Sequence, residues 1–155
     1  MKYFTIRELT KSETAARKGI NNSPTKEIEL ALTALVDNVL DPLREKWGAP
    51  IKVSSGYRCP KLNKAIGGAT GSQHMKGEAA DISSLSDSRD DNMALLRLLL
   101  NSGIPFDQVI SEDVDSKGRP NWIHVSYTTK RANRKKRTTM KKIKGRTTYL
   151  SGIKL

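Results

Sequence analysis

The sequence predicts an α+β fold in which helices flank a small antiparallel β-sheet. The chain has 155 residues, enough for one domain or for one domain and a tail. Apolar residues recur at spacings of three and four within one long segment, which indicates an amphipathic helix. Elsewhere, short segments of small residues, or of alternating apolar and polar residues, indicate strands. Both kinds of segment occur in one short chain, which is typical of the α+β class.

The N-terminal segment is predicted to form short helices. Tyr3 and Phe4 are expected to be extended. Thr5 and Glu8 form a capping-box pattern that begins a helix. Residues 12–18 are expected to form a second short helix that ends at Gly19, because glycine readily adopts the left-handed conformation found at helix ends.

A long helix is predicted after a break at residues 21–24. Ser23 is suited to cap this helix, and Pro24 is suited to its first turn. Pro42 should kink the helix near its end. The apolar stripe that packs on the core consists of Ile28, Leu32, Leu35, Val39 and Leu43.

The rest of the chain alternates between strands and helices. Strands are predicted at residues 51–54, 79–83, 108–111 and 122–127. Helices are predicted at residues 60–66 and 88–101. Residues 69–78 have glycines and no apolar period, so a loop is expected there, and residues 112–120 are expected to form a turn.

Positive charge is concentrated at the C-terminus. The formal net charge is +12, and residues 131–155 contain ten Lys or Arg and no acid. The other 18 of the 28 basic residues are balanced by 16 acids within residues 1–130. We therefore predict a domain over residues 1–130 and a basic C-terminal extension over residues 131–155. Residues 146–150 suit a short strand, or part of a hairpin, packed on that domain.

The composition excludes several classes of protein. Cys59 is the only cysteine, so the chain has no internal disulfide and no cysteine-rich zinc site. No run of about eighteen apolar residues is present, which argues against a membrane-spanning helix. Charged residues at the N-terminus argue against a secretory signal peptide, so we expect synthesis as a soluble cytoplasmic chain.

Two histidines and one aspartate have the chemistry of metal ligands. His74 lies in a glycine-flanked loop, and His124 lies within a predicted strand. Alternation along that strand places His124 on a polar face with Trp122 and Ser126. Asp81 lies in a strand of small apolar residues, where an unpaired carboxylate is costly. Two imidazoles and one carboxylate, with a fourth position left for water, match the ligand set of a catalytic zinc.

Each of these residues also has an ordinary structural interpretation. A histidine in a strand is commonly a core or surface residue without a metal. An aspartate in a strand commonly caps a loop or pairs with an arginine. The spacing between His74 and Asp81 is by itself a weak pattern, so the residues alone leave both interpretations open.

Seven short motifs occur in order between about Phe4 and Tyr127, without a large gap. The motifs are Ser54 to Arg58, Leu62-Asn63, Gly67-Gly68, Ser72 to His74, Gly77 to Asp81, Phe106 to Gln108 and Trp122 to Ser126. Jointly they resemble the zinc D-alanyl-D-alanine carboxypeptidase family, whose relatives include phage L-alanyl-D-glutamate endopeptidases. The metal site of this family is shared with lysostaphin-type enzymes and with the hedgehog domain.

The resemblance implies that residues 1–130 form a zinc peptidase domain with a hedgehog-like fold. It implies that His74, Asp81 and His124 are the ligands of Zn²⁺. They match the family's first histidine, its aspartate seven residues later, and its strand histidine.

The same resemblance implies roles for neighbouring residues. Arg58 is expected to hold a substrate carboxylate or to stabilise the developing oxyanion. An ion pair that orders the loop after the first strand is the alternative role for Arg58. Ser72 and Gln73 are expected to hydrogen-bond substrate or to hold the adjacent histidine in its tautomer. Asn63 and Asp107 are expected to brace loops.

The sequence differs from many relatives at the position of the general base. Those proteins place an acid three residues before the strand histidine, but this chain has Asn121 there, which cannot accept a proton. Glu112 resembles the glutamate of the shorter relatives, and a neighbouring antiparallel strand would bring it to the attacking water. Asp113 and Asp115 are the alternatives, and a solvated acidic turn is the structural interpretation of all three. Glu78 is expected to point away from the ligand-bearing face.

The function implied by the resemblance is a zinc metallopeptidase that hydrolyses peptidoglycan stem peptides. We expect a monomeric phage or prophage endolysin that acts on the cell wall after release. A D-alanyl-D-alanine carboxypeptidase of a bacterial cell, or a non-catalytic zinc-containing wall-binding module, are the alternatives. Which bond is cut is left open.

The basic extension suggests an anionic partner. Its basic clusters, at residues 134–137 and 141–142, are of a kind that binds phosphate backbones without sequence specificity. Anionic cell-wall polymers offer the same electrostatics. We expect weak binding to these polymers rather than a specific nucleic-acid site.

Overall fold

Six strands form a single sheet in a computed structural model that describes all 155 residues. The strands are β1 (Ile51–Ser55), β2 (Ala79–Ser84), β3 (Gln108–Glu112), β4 (Trp122–Ser126), β5 (Lys136–Ile143) and β6 (Arg146–Ser151). Their order across the sheet is β1-β2-β4-β3-β5-β6. The first four lie where strands were predicted, and the α+β class is confirmed.

The sheet is mostly antiparallel, with one exception. β3 and β5 are parallel, and every other neighbouring pair is antiparallel. The exception follows from the path of the chain: after β4 the chain reverses and crosses the end of β3, so that β5 lies on the other edge of β3. The sheet is otherwise the antiparallel sheet that was predicted.

The helices precede and connect the strands. They are α1 (Ile6–Thr10), α2 (Glu13–Lys18), α3 (Lys26–Leu35), α4 (Asp41–Trp47), α5 (Pro60–Ala65) and α6 (Arg89–Asn101). The predicted capping pattern is confirmed at α1, where the Thr5 hydroxyl accepts a hydrogen bond from the Glu8 amide at 3.1 Å. None of the helices combines the length and apolar character that a membrane span requires.

The predicted long helix is divided into three parts. A π-helical segment at Val36–Leu40 separates α3 from α4. In it the amide of Asp41 donates to the carbonyl of Val36, five residues earlier. Pro42 follows immediately and has no N–H for the α-helical ladder, which accounts for an interruption at this place. The irregularity predicted at Pro42 is therefore present, one turn earlier than expected.

The start of α3 also differs from the prediction. Its cap is Thr25, whose hydroxyl accepts a hydrogen bond from the amide of Ile28 at 3.3 Å. Ser23 and Pro24 lie before the helix rather than in it. Thr25 and Ser23 are both suitable capping residues, and the choice between them depends on which hydroxyl reaches a free amide.

One face of the sheet packs against the helices. Its side chains are fully buried, and they are Ala80, Ile82, Val109, Ile123 and Val125. They join a core of 22 buried residues, to which α3, α4 and α6 contribute leucines and the π-helical segment contributes Val36, Val39 and Leu40. The alternate residues of β2, β3 and β4 point to the opposite face of the sheet.

The basic extension contributes β5 and β6 to the same sheet. Thr138 of β5 is paired with Ile110 of β3, and Met140 is paired with Tyr149 across the hairpin. Thr138 and Met140 are buried. The sheet is therefore continuous from Ile51 to Ser151, although residues 131–155 differ sharply in charge from the residues before them.

Candidate metal centre

Three separate elements bring His74, Asp81 and His124 together. His74 lies in a 3₁₀ turn (Gln73–Lys76) that is capped by Ser72, whose hydroxyl accepts from the His74 amide at 3.2 Å. Asp81 is in β2 and His124 is in β4, and the two are directly opposite each other in the antiparallel pair. Direct cross-strand pairs have Cβ atoms about 4.5–5.5 Å apart, which is close enough for one ion to lie between the side chains.

The distances between the three side chains suit one ion. The Asp81 Oδ1 atom lies 3.3 Å from Nε2 of His74 and 3.1 Å from Nδ1 of His124. One ligand atom from each residue lies within 4.8 Å of both others, so this group can hold a metal. Tetrahedral zinc with bonds of about 2.0–2.1 Å requires ligand atoms roughly 3.3 Å apart, and both measured separations are close to that value.

The tautomer of His74 is set by the backbone. Its Nδ1 atom lies 2.7 Å from the carbonyl oxygen of Gly56 and donates to it. With the proton on Nδ1, the lone pair of Nε2 faces Asp81, which is the form of imidazole that binds a metal. His74 is only 2% exposed, so packing also fixes the orientation of its ring.

The electrostatics of the centre favour a bound cation. Burial alone would raise the pKa of the Asp81 carboxyl, but the adjacent imidazoles of His74 and His124 outweigh burial and hold that pKa well below its usual range. Asp81 is therefore an anion at neutral pH. The three residues thus combine a half-buried anion with two imidazoles, a donor set that fits Zn²⁺.

Arg58 lies beside this centre and has a hydrogen-bond donor without an acceptor. One of its terminal nitrogens is 3.5 Å from the Ser72 hydroxyl, and its Nε–H is buried without an acceptor. The buried side-chain nitrogen of Gln73 also lacks a partner. Arg58 makes no ion pair with an acid, which does not support the alternative that it serves to order a loop. These two side chains are donors available to a ligand.

Glu112 lies on the same face of the sheet as His124. It is paired with Trp122, two residues before His124 on β4, and only 7% of its surface is exposed. Burial, followed by the negative charge of Asp81, raises the pKa of Glu112 to about 7. A carboxyl group that titrates near neutral pH can accept a proton and release it again.

The other acids considered as the base are engaged elsewhere. Asp113 accepts a hydrogen bond from the side chain of Asn121 at 3.3 Å, and Asp115 binds the guanidinium of Arg119 at 2.7 and 2.9 Å. Glu78 is buried and accepts from the hydroxyl of Thr128 at 2.6 Å. None of these carboxylates borders the groove that contains the three ligand candidates.

That groove has a volume of about 680 Å³. The 67–73 loop with Arg58 borders one side of it, and the β5–β6 hairpin borders the other. The hairpin residues that line it are Lys136, Thr138, Met140, Thr147 and Tyr149. A second cavity lies along the edge of β1, and Arg58 is the one residue that borders both.

Two features of the site were not found from the sequence. Gly56 orients His74 through its backbone carbonyl. Every residue has such a carbonyl, so no sequence pattern predicts this contact. Tyr149 and Lys136 lie in the groove because β5 pairs with β3, a contact between segments far apart in the chain. The one available signal was the strand-like composition of residues 146–150.

The two residues expected to brace loops do so in different ways. The side-chain amide of Asn63 donates to the carbonyl of Ala69 at 2.9 Å. Asp107 is fully buried and accepts hydrogen bonds mainly from the guanidinium groups of Arg131 and Arg134. Asp107 therefore attaches the basic extension to the domain, a role that its sequence context did not indicate.

Comparison with known protein families supports the assignment suggested by this geometry. A family model described as Peptidase M15 matches residues 2–126. No curated protein gives a significant match. The matched range contains His74, Asp81, His124, Arg58 and Glu112, and it ends before β5. The resemblance to the zinc D-alanyl-D-alanine carboxypeptidase family is confirmed, and the chain belongs to the peptidase M15 family of zinc peptidases.

Proposed function

We propose that this protein hydrolyses a peptide bond in the stem peptides of peptidoglycan, with Zn²⁺ held by His74, Asp81 and His124. The observation that carries the proposal is the placement of two imidazole nitrogens within 3.3 Å of one carboxylate oxygen of the half-buried Asp81, inside a groove that also contains Glu112 and Arg58. Membership in the peptidase M15 family supports the chemistry. The acidic peptide substrate suits a groove with basic residues on both of its sides.

In the proposed mechanism Glu112 is the general base. Bound Zn²⁺ supplies Lewis-acid chemistry that polarises a carbonyl group and makes water more acidic. Glu112 takes the proton from the attacking water and then gives it to the leaving amine, so the carboxyl group returns to its starting state. Burial raises the pKa of Glu112 above its ordinary value, which favours both acceptance of the water's proton and its later release to the amine.

Arg58, Ser72 and Gln73 are proposed to bind the substrate. Arg58 has a buried Nε–H without an acceptor, and Gln73 has an unpartnered amide nitrogen. These donors would stabilise the negative charge that develops on the scissile carbonyl oxygen, or hold a carboxylate next to it. Ser72 is placed to help, because its hydroxyl lies between the Arg58 guanidinium and the amide of His74.

We further propose that the biological role is that of an endolysin. The groove continues from the 67–73 loop, past the three ligand candidates, to the hairpin, which leaves room for peptide on both sides of the scissile bond. The ten basic residues of the extension would increase retention on anionic wall polymers, weakly and in a salt-dependent manner.

The test is digestion of purified peptidoglycan with the zinc-loaded protein, with and without a chelator. We expect soluble muropeptides to be released only in the absence of chelator. Mass spectrometry of the fragments identifies the cleaved bond: loss of a terminal D-alanine alone indicates a carboxypeptidase, and separation of the stem peptide internally indicates an endopeptidase. A zinc-loaded protein that leaves walls and muropeptides unchanged while still binding them would be a wall-binding module, and the proposal would be wrong.

A further inference from the structure

The β5–β6 hairpin borders the groove but lies outside residues 2–126, which the family model matches. Its position is fixed by two kinds of contact. β5 pairs with β3 over four residue pairs, and the buried Asp107 carboxylate accepts from Arg131 and Arg134 at 2.6 to 3.1 Å. These contacts attach the hairpin to the domain, and the hairpin forms one wall of the groove.

The register determines which hairpin side chains face the groove. Ile110 of β3 is paired with His124 on one side and with Thr138 on the other, so these three residues form one row across the sheet. Adjacent strands are about 4.8 Å apart, which puts Thr138 roughly 10 Å from His124. Alternation then turns Lys136 towards the groove and Lys141 towards the opposite face. Lys141 accordingly borders a different cavity.

Lys136 is a cation without a partner on this wall. Its side chain is exposed, borders the groove and makes no ion pair. The neighbouring groove-lining cation, Arg134, is already bound to Asp107. On the other wall Arg58 is likewise without an acid partner. Each of the two walls of the groove thus carries one positive charge that has no acid partner, and the groove also contains Asp81 and Glu112.

Tyr149 extends the same wall. It is 61% exposed, lines the groove, and is paired across the hairpin with the buried Met140, which also lines the groove. An exposed phenol ring over an apolar side chain offers a flat surface on which a peptide can pack.

We propose that the hairpin is a substrate-recognition element, in which Lys136 binds a carboxylate of the stem peptide and Tyr149 packs against the peptide beside it. This inference depends on the proposed function, because it specifies how the same groove selects its substrate. Lys136 adds a positive charge on the hairpin side of the groove, where it can pair with a carboxylate of an acidic peptide. The hairpin cation then acts on the side of the scissile bond opposite Arg58.

The experiment compares Lys136→Gln with Lys141→Gln, which removes the same charge from the same strand but on the opposite face. Substrates are synthetic stem peptides whose free carboxylates are amidated one at a time. For Lys136→Gln we expect KM for the unmodified peptide to rise roughly three- to tenfold with little change in kcat. For Lys141→Gln we expect wild-type values. One amidated peptide should show no difference between Lys136→Gln and wild type, since the interacting carboxylate is already absent.

The proposal is overturned if Lys136→Gln and Lys141→Gln behave alike, or if every amidated peptide still distinguishes Lys136→Gln from wild type. Tyr149→Ala should also raise KM, and Tyr149→Phe should retain most of the affinity because the ring remains. If the wild-type protein cleaves none of the peptides, the proposed function has failed; the same comparison of variants is then made by calorimetric binding, with dissociation constants in place of KM.

Discussion

The Nδ1 atom of His74 lies 2.7 Å from the carbonyl oxygen of Gly56. This contact fixes the tautomer that turns Nε2 towards Asp81. The carbonyl is held in turn by tight packing, because a Cβ at position 56 would lie 2.1 Å from the backbone oxygen of Leu9. The first ligand candidate is therefore positioned by a glycine 18 residues earlier in the chain.

Gly56→Ala is predicted to weaken zinc binding without altering any ligand. The added methyl group must displace the segment that carries the Gly56 carbonyl, and loss of such an outer contact typically reduces metal affinity by about 10–100-fold. Competition with a chromophoric chelator measures the affinity. Gly71→Ala is the matched control, because a Cβ at position 71 meets no atom within 4 Å. Equal affinities in the two variants would contradict the role of Gly56.

Asp81→Asn is predicted to abolish stoichiometric zinc binding. The substitution retains the shape of the side chain but removes the anion between the two imidazoles. Zinc should raise the melting temperature of the wild-type protein, because an ion bound only by the folded state stabilises that state, and this shift should be absent from the variant. Asp113→Asn, which changes an acid outside the groove, should keep both the metal and the shift.

Glu112→Gln is predicted to reduce hydrolysis by about 10²–10⁴-fold while zinc content stays at the wild-type level. The amide has nearly the size of the carboxyl group but cannot accept the proton of the attacking water. Turnover of a stem peptide and elemental analysis are the two measurements. A fully active Glu112→Gln protein would assign the base to another group, and Asp113→Asn and Asp115→Asn would then be measured in the same way.

The raised pKa of Glu112 also predicts a pH-dependent difference in stability in the metal-free protein. The folded pKa is about 7 and the ordinary value is 4.5, so between these pH values the folded state holds a proton that the unfolded state has released. The free energy of unfolding of the wild-type protein therefore falls as pH rises through this range. The Glu112→Gln variant lacks this titrating group, so it does not lose this part of its stability. We expect the variant to gain roughly 1–3 kcal/mol over wild type between pH 4 and pH 8. Urea unfolding at several pH values measures the difference, and a constant difference would contradict the shifted pKa.

Asp107→Asn is predicted to loosen the hairpin. The buried carboxylate accepts charged hydrogen bonds from two arginines, and its replacement by an amide should destabilise the protein by about 1–3 kcal/mol. Hydrogen exchange should become faster in β5 and β6 before it changes in the central strands. Asp115→Asn breaks a half-buried ion pair in the turn between β3 and β4 and serves as the control. Unchanged exchange in the hairpin would show that strand pairing alone holds it.

Much of the fold followed from local patterns. The apolar stripe of the long helix, the capping pattern at Thr5 and the first four strands were predicted because each depends on residues close together in the chain. The boundaries of α3 and the π-helical segment were less predictable. They depend on which of several suitable hydroxyls reaches an amide, and on where the helix accommodates the missing N–H of Pro42.

The candidate site shows the same division. The chemistry of His74, Asp81 and His124 identified them as possible ligands from the sequence, and ordered motifs around them supported this. Their separation in space could not be calculated from the sequence, since it depends on the register between β2 and β4. Glu112 was preferred over Asp113 and Asp115 from the sequence. That Glu112 lines the groove while the other two acids do not depends on strand direction and on their hydrogen-bond partners elsewhere.

The sequence by itself thus determined most elements of secondary structure and the residue types able to bind zinc. It also contained a set of motifs whose order resembles that of one peptidase family. The tertiary structure alone decided the tautomer of His74, the burial that raises the pKa of Glu112, and the placement of Lys136 and Tyr149 in the groove. The physical reason is that side-chain periodicity and capping act over a few residues. The contacts that complete the site join residues that are 14, 18 and 43 positions apart in the chain. They depend on backbone carbonyls and on strand pairing, which no local pattern encodes.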